Sequence, residues 1–144
     1  MEQAITVTLE IKELFFDRKH VEHAIGRARV RALSKMGAFV RQRAQTSMRR
    51  VRGPSRPGEP PHAHQGDLRR YILFGYDPQT DTVVVGPLGF RRSEAPHVLE
   101  FGGRTPSRRL KRDAVIRPRP YMGPALEQER ENFVGLWRNS VVRG

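Results

Sequence analysis

Residues 18–48 contain no proline, and along them Val21, Ile25, Ala28, Ala32, Met36, Val40 and Ala44 recur at steps of three or four. That spacing puts one apolar stripe along a helix of about eight turns. A stripe that long must be covered, so the rest of the chain has to supply a surface for it. Asp17 stands where a carboxylate can accept the free amides of the first turn. Arg27, Arg31 and Lys35 form an i,i+4 row away from the stripe, on a face expected to meet solvent or a partner.

The flanking segments have other periods. From Ala4 to Phe16 the chain alternates, with Ile5, Val7, Leu9 and Ile11 separated by Thr6, Thr8 and Glu10, which predicts a half-buried strand. Residues 49–66 hold four prolines and three glycines, so no regular element is expected there. They read as a long, exposed basic loop with little to bury. Leu68–Tyr76 and Thr82–Pro87 flank Asp77-Pro78-Gln79-Thr80-Asp81, a turn sequence between two strands. Ile72, Phe74, Val83 and Val85 are the candidate core residues of that hairpin. Ala95–Phe101 predicts one or two helical turns stopped at Gly102-Gly103. Residues 104–113 read as a second exposed basic loop, and Ala114–Ile116 as a short strand. Pro124 suits the first turn of a last helix to about Ser140, with Leu126, Phe133, Leu136, Trp137 and Val141 apolar. The expected fold is a single α+β domain over residues 1–144. In it, a long N-terminal helix and a C-terminal helix pack on a small, mostly antiparallel sheet, with long basic loops.

Charge is the compositional anomaly. The 144 residues carry 27 bases against 15 acids, net +12, and 23 of the bases are arginine. Two blocks hold the excess: residues 18–56 at +11 and residues 104–119 at +6, while residues 1–17 carry −3. Such a balance points to a polyanionic partner or environment, and arginine favours forked contacts with phosphate or carboxylate. Within the two blocks the only aromatic residue is Phe39, which argues against base stacking on a single strand. Sequence-blind phosphate attraction through Arg49, Arg50 and Arg52, or through Arg104, Arg108, Arg109, Lys111 and Arg112, is compatible with the pattern. The absence of cysteine excludes disulfides, a cysteine nucleophile and cysteine-bound zinc. No apolar run approaches the ~18 residues of a membrane-spanning helix, and no secretory signal pattern is expected at the N-terminus.

Sequence-visible chemistry is sparse. His62-Ala63-His64 is the one close histidine pair, with Glu59 and Asp67 nearby, but no second ligand cluster stands at recognisable spacing. His20 and His23 are expected on the helix surface. The chain has no phosphate-binding glycine loop, nucleophile elbow or paired-carboxylate signature. No catalytic residue, metal or cofactor is expected.

Four short motifs follow one another in order: Gly66-Asp67-Leu68-Arg69, Val85-Gly86 closing the hairpin, Glu100-Phe101-Gly102, and Arg119-Pro120-Tyr121-Met122-Gly123-Pro124-Ala125 leading into the last helix. In this series, over roughly residues 18–141, the chain resembles the small bacteriophage neck and tail-completion proteins, the head–tail joining, virion morphogenesis or minor tail class. Tyr121 stands where that family usually has phenylalanine. The resemblance implies a structural role at the head–tail junction of a virion, after assembly in the host cytoplasm. It implies rings of six or twelve copies, contacts with connector and tail proteins, weak non-specific contact with passing DNA, and no catalysis. Physically, Gly102 would stop its helix while Phe101 packs inward and Glu100 stays near the surface. Tyr121 and Met122 would pin the entry of the last helix to the core. A different reading of the same charge, a small basic nucleic-acid-binding protein of the kind that includes ribonucleases, stays open beside it.

Overall fold

A computed structural model describes residues 18–63, 67–90, 94–107, 109–138 and 140. The expected strand at Ala4–Phe16, the cap at Asp17, and His64, Gly66, Arg108 and Val141 lie outside the described residues. Helix α1 runs Arg18–Ser47, and a single helical turn, α2, spans Asp67–Arg70. Strands β1 (Ile72–Asp77) and β2 (Thr82–Pro87) form the first hairpin, and α3 spans Ala95–Phe101. Strands β3 (Gly103–Ser107) and β4 (Arg112–Ile116) form the second, and α4 runs Met122–Arg138. The fold is α+β, and its antiparallel strands are divided between two separate two-stranded sheets.

The long helix forms where its periodicity predicts. Ala28, Ala32, Gly37, Val40 and Ala44 are buried against the first hairpin and α4. Ile25 departs from the expected stripe and is 48% exposed. It lies one helical turn before Arg29, which is ion-paired with Asp81 at the end of the hairpin turn. At Gly37 the packing is closest: a Cβ there would stand 2.6 Å from a methyl of Val83 and 3.0 Å from the ring of Phe74. Phe74, expected in the core, is instead half-exposed, with one ring edge against α1.

The first turn is built by its own side chains. Asp77 accepts from the Thr80 hydroxyl at 2.8 Å and from the Gln79 N–H at 2.9 Å, which holds its carboxyl below the ordinary range. The first basic segment lacks helix and strand over its described residues, as its prolines dictate. It does not hang free, however: Ser55, Pro61 and Ala63 are buried. The Ala63 N–H donates to the Arg49 carbonyl at 2.9 Å and the Gly58 N–H to the Pro118 carbonyl at 2.8 Å. The reading of this segment as having little to bury is corrected accordingly.

The second basic segment is also corrected, since residues 104–113 are mostly strand. Thr105, Val115 and Ile116 favour extended backbone, and the pairing Arg104↔Val115 through Ser107↔Arg112 closes over a tight turn. In that turn the Ser107 hydroxyl accepts the Leu110 N–H at 3.3 Å and Lys111 takes φ +50°. The core cluster joins Val40, Ala44, Met48, Ala63, Ile72, Tyr121 and Ala125, with Leu68, Val85, Leu99, Met122 and Phe133 packed around it. Leu126 and Trp137 are each 47% exposed, so α4 turns less of its apolar surface inward than its sequence suggests.

Candidate functional site

The residues of the last two motifs meet at one joint, made where α3, the end of β4 and the start of α4 converge. Gly102 ends α3 with φ +76°, and its N–H donates to the Val98 carbonyl at 2.8 Å. A Cβ at Gly102 would lie 2.9 Å from Pro118 and 3.2 Å from the Ile116 carbonyl, so both conformation and space require glycine. The Arg119 N–H donates to the Leu99 carbonyl at 2.6 Å, and Arg119 Nε donates to the Ser55 carbonyl at 3.0 Å. The chain entering α4 is thereby tied to both α3 and the first basic segment.

Glu100 holds the centre of the joint. Its Oε2 accepts the N–H groups of Tyr121 and Met122 at 2.8 and 3.0 Å, and its Oε1 accepts the N–H of Gly123 at 2.8 Å. These are free donors at the start of α4, where the helix dipole also favours a negative charge. The capping carboxylate comes from another helix rather than from the residue before α4. The expected orientations are reversed: Glu100 turns inward to the amides, and Phe101 is 69% exposed, its ring tilted against His97 at 4.9 Å. The amides need a carboxylate more than this small core needs another ring. Pro120 leads in half-buried, Tyr121 is fully buried, Pro124 lies on the exposed side of the first turn, and Ala125 is buried below it. Burial, and secondarily the Glu100 charge, push the Tyr121 phenol up to about 12.

Leu68 and Arg69 belong to a neighbouring contact. Leu68 packs on the core, and the Arg69 carbonyl accepts from Gln45 Nε2 at 2.9 Å. The Ile72 carbonyl accepts from Arg41 Nε at 2.8 Å and from Gln45 at 3.3 Å. Thus α1 grips the chain as it enters β1.

The arginines of α1 divide into two sets. Arg29, Arg41 and Arg43 fasten the helix to the hairpin and α4. Arg43 meets Glu129 at 2.6 Å, and Asn132 donates to the same carboxylate at 2.9 Å. The Asn132 amide and the Arg43 guanidinium hold the Glu129 carboxyl below its ordinary range, against the opposing effect of burial. Arg27, Arg31 and Lys35 are exposed, as expected. Arg49, Arg50 and Arg52 are exposed in the first basic segment, and Arg104, Arg109, Lys111 and Arg112 on the second hairpin. Among the described residues none of these ten takes part in an ion pair. Sequence reasoning missed the three bracing arginines, because Arg27 and Arg31 sit beside buried stripe residues in the same way and only the distant partners tell the sets apart.

Among the described residues no three histidine, aspartate or glutamate side chains cluster to hold a metal. His62 is half-buried and its Nδ1–H donates to the Gly53 carbonyl at 2.8 Å, a contact within its own loop. Phe101, Leu110 and Val115 add exposed apolar surface on and beside the arginine-rich hairpin. The arrangement sets a mixed basic and apolar surface beside the joint. Compared with protein-family models, curated proteins and solved structures, the chain matches none.

Proposed function

We propose that this chain is a structural protein of a phage head–tail junction, a neck or tail-completion component that works as a ring of six or twelve copies. The ordered motifs carry the resemblance. The observation that most supports it is that Glu100, Gly102, Arg119 and Tyr121, apart in sequence, form one interlocked joint. A joint of this kind fixes the β3–β4 hairpin and α4 relative to each other. Beside it stand exposed Phe101 and the charges of Arg104, Arg109, Lys111 and Arg112. In a closed ring one patch meets a different patch on the neighbour, so rigid relative placement of surfaces is what the role requires. In this reading the arginines dock on carboxylates of adjacent subunits, connector or tail proteins, and the ring braces the conduit through which DNA passes.

A second reading is favoured by the same ten exposed bases: a small basic nucleic-acid-binding protein, with ribonucleolytic action as one form of it. Mass photometry and negative-stain microscopy separate the two. Rings of six or twelve, alone or on addition of connector proteins, support the neck component, whereas a monomer that cleaves RNA supports the alternative. A variant with Arg104, Arg109, Lys111 and Arg112 all changed to Ser distinguishes the roles of the hairpin. Lost assembly with unchanged DNA binding makes it a docking surface. Lost DNA binding, with a log–log salt slope reduced by about 0.9 for each phosphate contact removed and assembly intact, makes it a DNA-facing surface.

A further inference from the structure

The two basic blocks, far apart in sequence, meet in the fold. Arg119 makes the junction between them. Its Nε donates to the Ser55 carbonyl at 3.0 Å and its Nη1 to the Arg117 carbonyl at 3.4 Å. Beside it the Gly58 N–H donates to the Pro118 carbonyl at 2.8 Å. One half-buried guanidinium thus grips the backbone next to Arg56 and the backbone of Arg117, and brings these two exposed arginines to one surface. Further bonds fix the rest of the segment. The Ala63 N–H donates to the Arg49 carbonyl at 2.9 Å, His62 Nδ1–H to the Gly53 carbonyl at 2.8 Å, and the Glu59 N–H to the Arg56 carbonyl at 3.1 Å. Arg49, Arg50, Arg52, Arg56 and Arg117 are exposed, and among the described residues none of them takes part in an ion pair. Glu59 is the only acid in residues 49–63 and 117–120. Gathering like charges in this way costs free energy that a polyanion offsets.

We propose that this surface binds the phosphate backbone of duplex nucleic acid, with Arg56 and Arg117 at its centre and Arg49, Arg50 and Arg52 along the same segment. Three observations favour that ligand. First, every base here is arginine, whose forked donors match phosphate oxygens. Second, the surface is basic without being apolar: Val51 is the one exposed aliphatic or aromatic side chain in these stretches. A protein-docking surface has an apolar centre, as the second hairpin has in Phe101, Leu110 and Val115. Third, neither stretch contains an aromatic residue, so the bases of a single strand have nothing to stack on, whereas a duplex backbone asks only for charge. The backbone bonds hold the arginine positions in place before binding, which lowers the ordering cost. The site deepens the nucleic-acid contact that both functional readings contain, and it places that contact on a surface other than the β3–β4 hairpin.

Anisotropy of a labelled, mixed-sequence DNA duplex titrated with the full chain across a salt series tests this. In Arg56→Ser/Arg117→Ser the log–log salt slope falls in magnitude by about 1.8, and binding at 0.1 M salt weakens at least about tenfold. Both side chains are exposed, so the variant melts with the parent. Changing Arg104, Arg109, Lys111 and Arg112 to Ser alters the slope less. A slope and affinity unchanged in the double variant overturn the proposal. In the unmodified chain, the Nε–H signals of Arg56 and Arg117 shift as the duplex is added and return as salt is raised, and signals that stay still overturn it too. A glutamate polymer that binds as tightly as the duplex, with the same salt slope, makes the surface a carboxylate dock and also refutes it. Ring formation, read separately by microscopy, decides none of these outcomes, so a failed DNA site and a failed ring remain distinct.

Discussion

Replacing Glu100 tests the joint most directly. Glu100→Ala removes the acceptor of three N–H groups at the start of α4. The Gly123 bond is exposed, so water replaces it at little cost. The Tyr121 and Met122 bonds are part-buried, and each charge-assisted bond of that kind contributes about 1.5 kcal/mol net, giving a loss of about 3 kcal/mol. For a chain of this size, that lowers the melting temperature by about 9 °C. Glu100→Gln keeps one oxygen for Tyr121 and Met122 but turns its NH₂ toward Gly123 and gives up the charge at the helix start, so it costs about 1 kcal/mol. Urea unfolding followed by helical circular dichroism reads both values, and the slope with denaturant stays as in the parent. A loss below about 0.5 kcal/mol for Glu100→Ala, or equal losses for the two variants, would refute the assignment of Glu100 as the cap of α4.

At Gly37, alanine gains about 1 kcal/mol of helix propensity but forces a Cβ to 2.6 Å from Val83, so Gly37→Ala is net destabilising by about 1 kcal/mol in urea unfolding. Gly26→Ala, on the same helix with nothing within 4 Å, stabilises by about 1 kcal/mol in the same assay. The carboxyl of Glu129 is lowered in the folded state, so its contribution is complete above the ordinary value of 4.5 and is lost as pH falls through the lowered one. The urea midpoint therefore drops more steeply below pH 4.5 in the parent than in Glu129→Gln. For Tyr121 the sign is opposite: its contribution is complete below pH 10 and is lost as pH rises toward about 12, which ultraviolet titration of the phenols, compared with Tyr121→Phe, will show.

Elements with a local period or punctuation were legible in the sequence. The stripe of α1, the Asp77 turn, Gly102 and the Pro124 entry each act over a few residues, and each structure formed close to where it was expected. The failures came from long-range partners. Phe101 was expected inward and Glu100 near the surface, but the donors that draw Glu100 in lie 21 to 23 residues away and are backbone amides, invisible in side-chain pattern. Arg29, Arg41 and Arg43 look like Arg27 and Arg31 by type, and all five neighbour a buried stripe residue; the first three differ only in reaching partners 31 to 86 positions away, Asp81, the Ile72 carbonyl and Glu129. The second basic hairpin was masked by charge: arginine and lysine at exposed edge positions suit a strand that must not pair with strangers, so a basic composition there marks an edge as readily as a loop.

The pairing of Arg43 with Glu129, 86 positions apart, also has a temporal side. A ribosome makes α1 before α4, so the longest helix spends the intervening synthesis with its Ala28-to-Ala44 stripe lacking one of its two covers. At about 5–20 residues per second, the stretch from Ser47 to Arg138 takes about 5–18 s. Until then the nascent chain displays an alanine-rich surface flanked by arginine, soluble by charge but unpacked. Closure comes from the C-terminal end, and it is nearly simultaneous with completion of the joint at Glu100. The packing of α1 against α4 and the joint at Glu100 are therefore completed together.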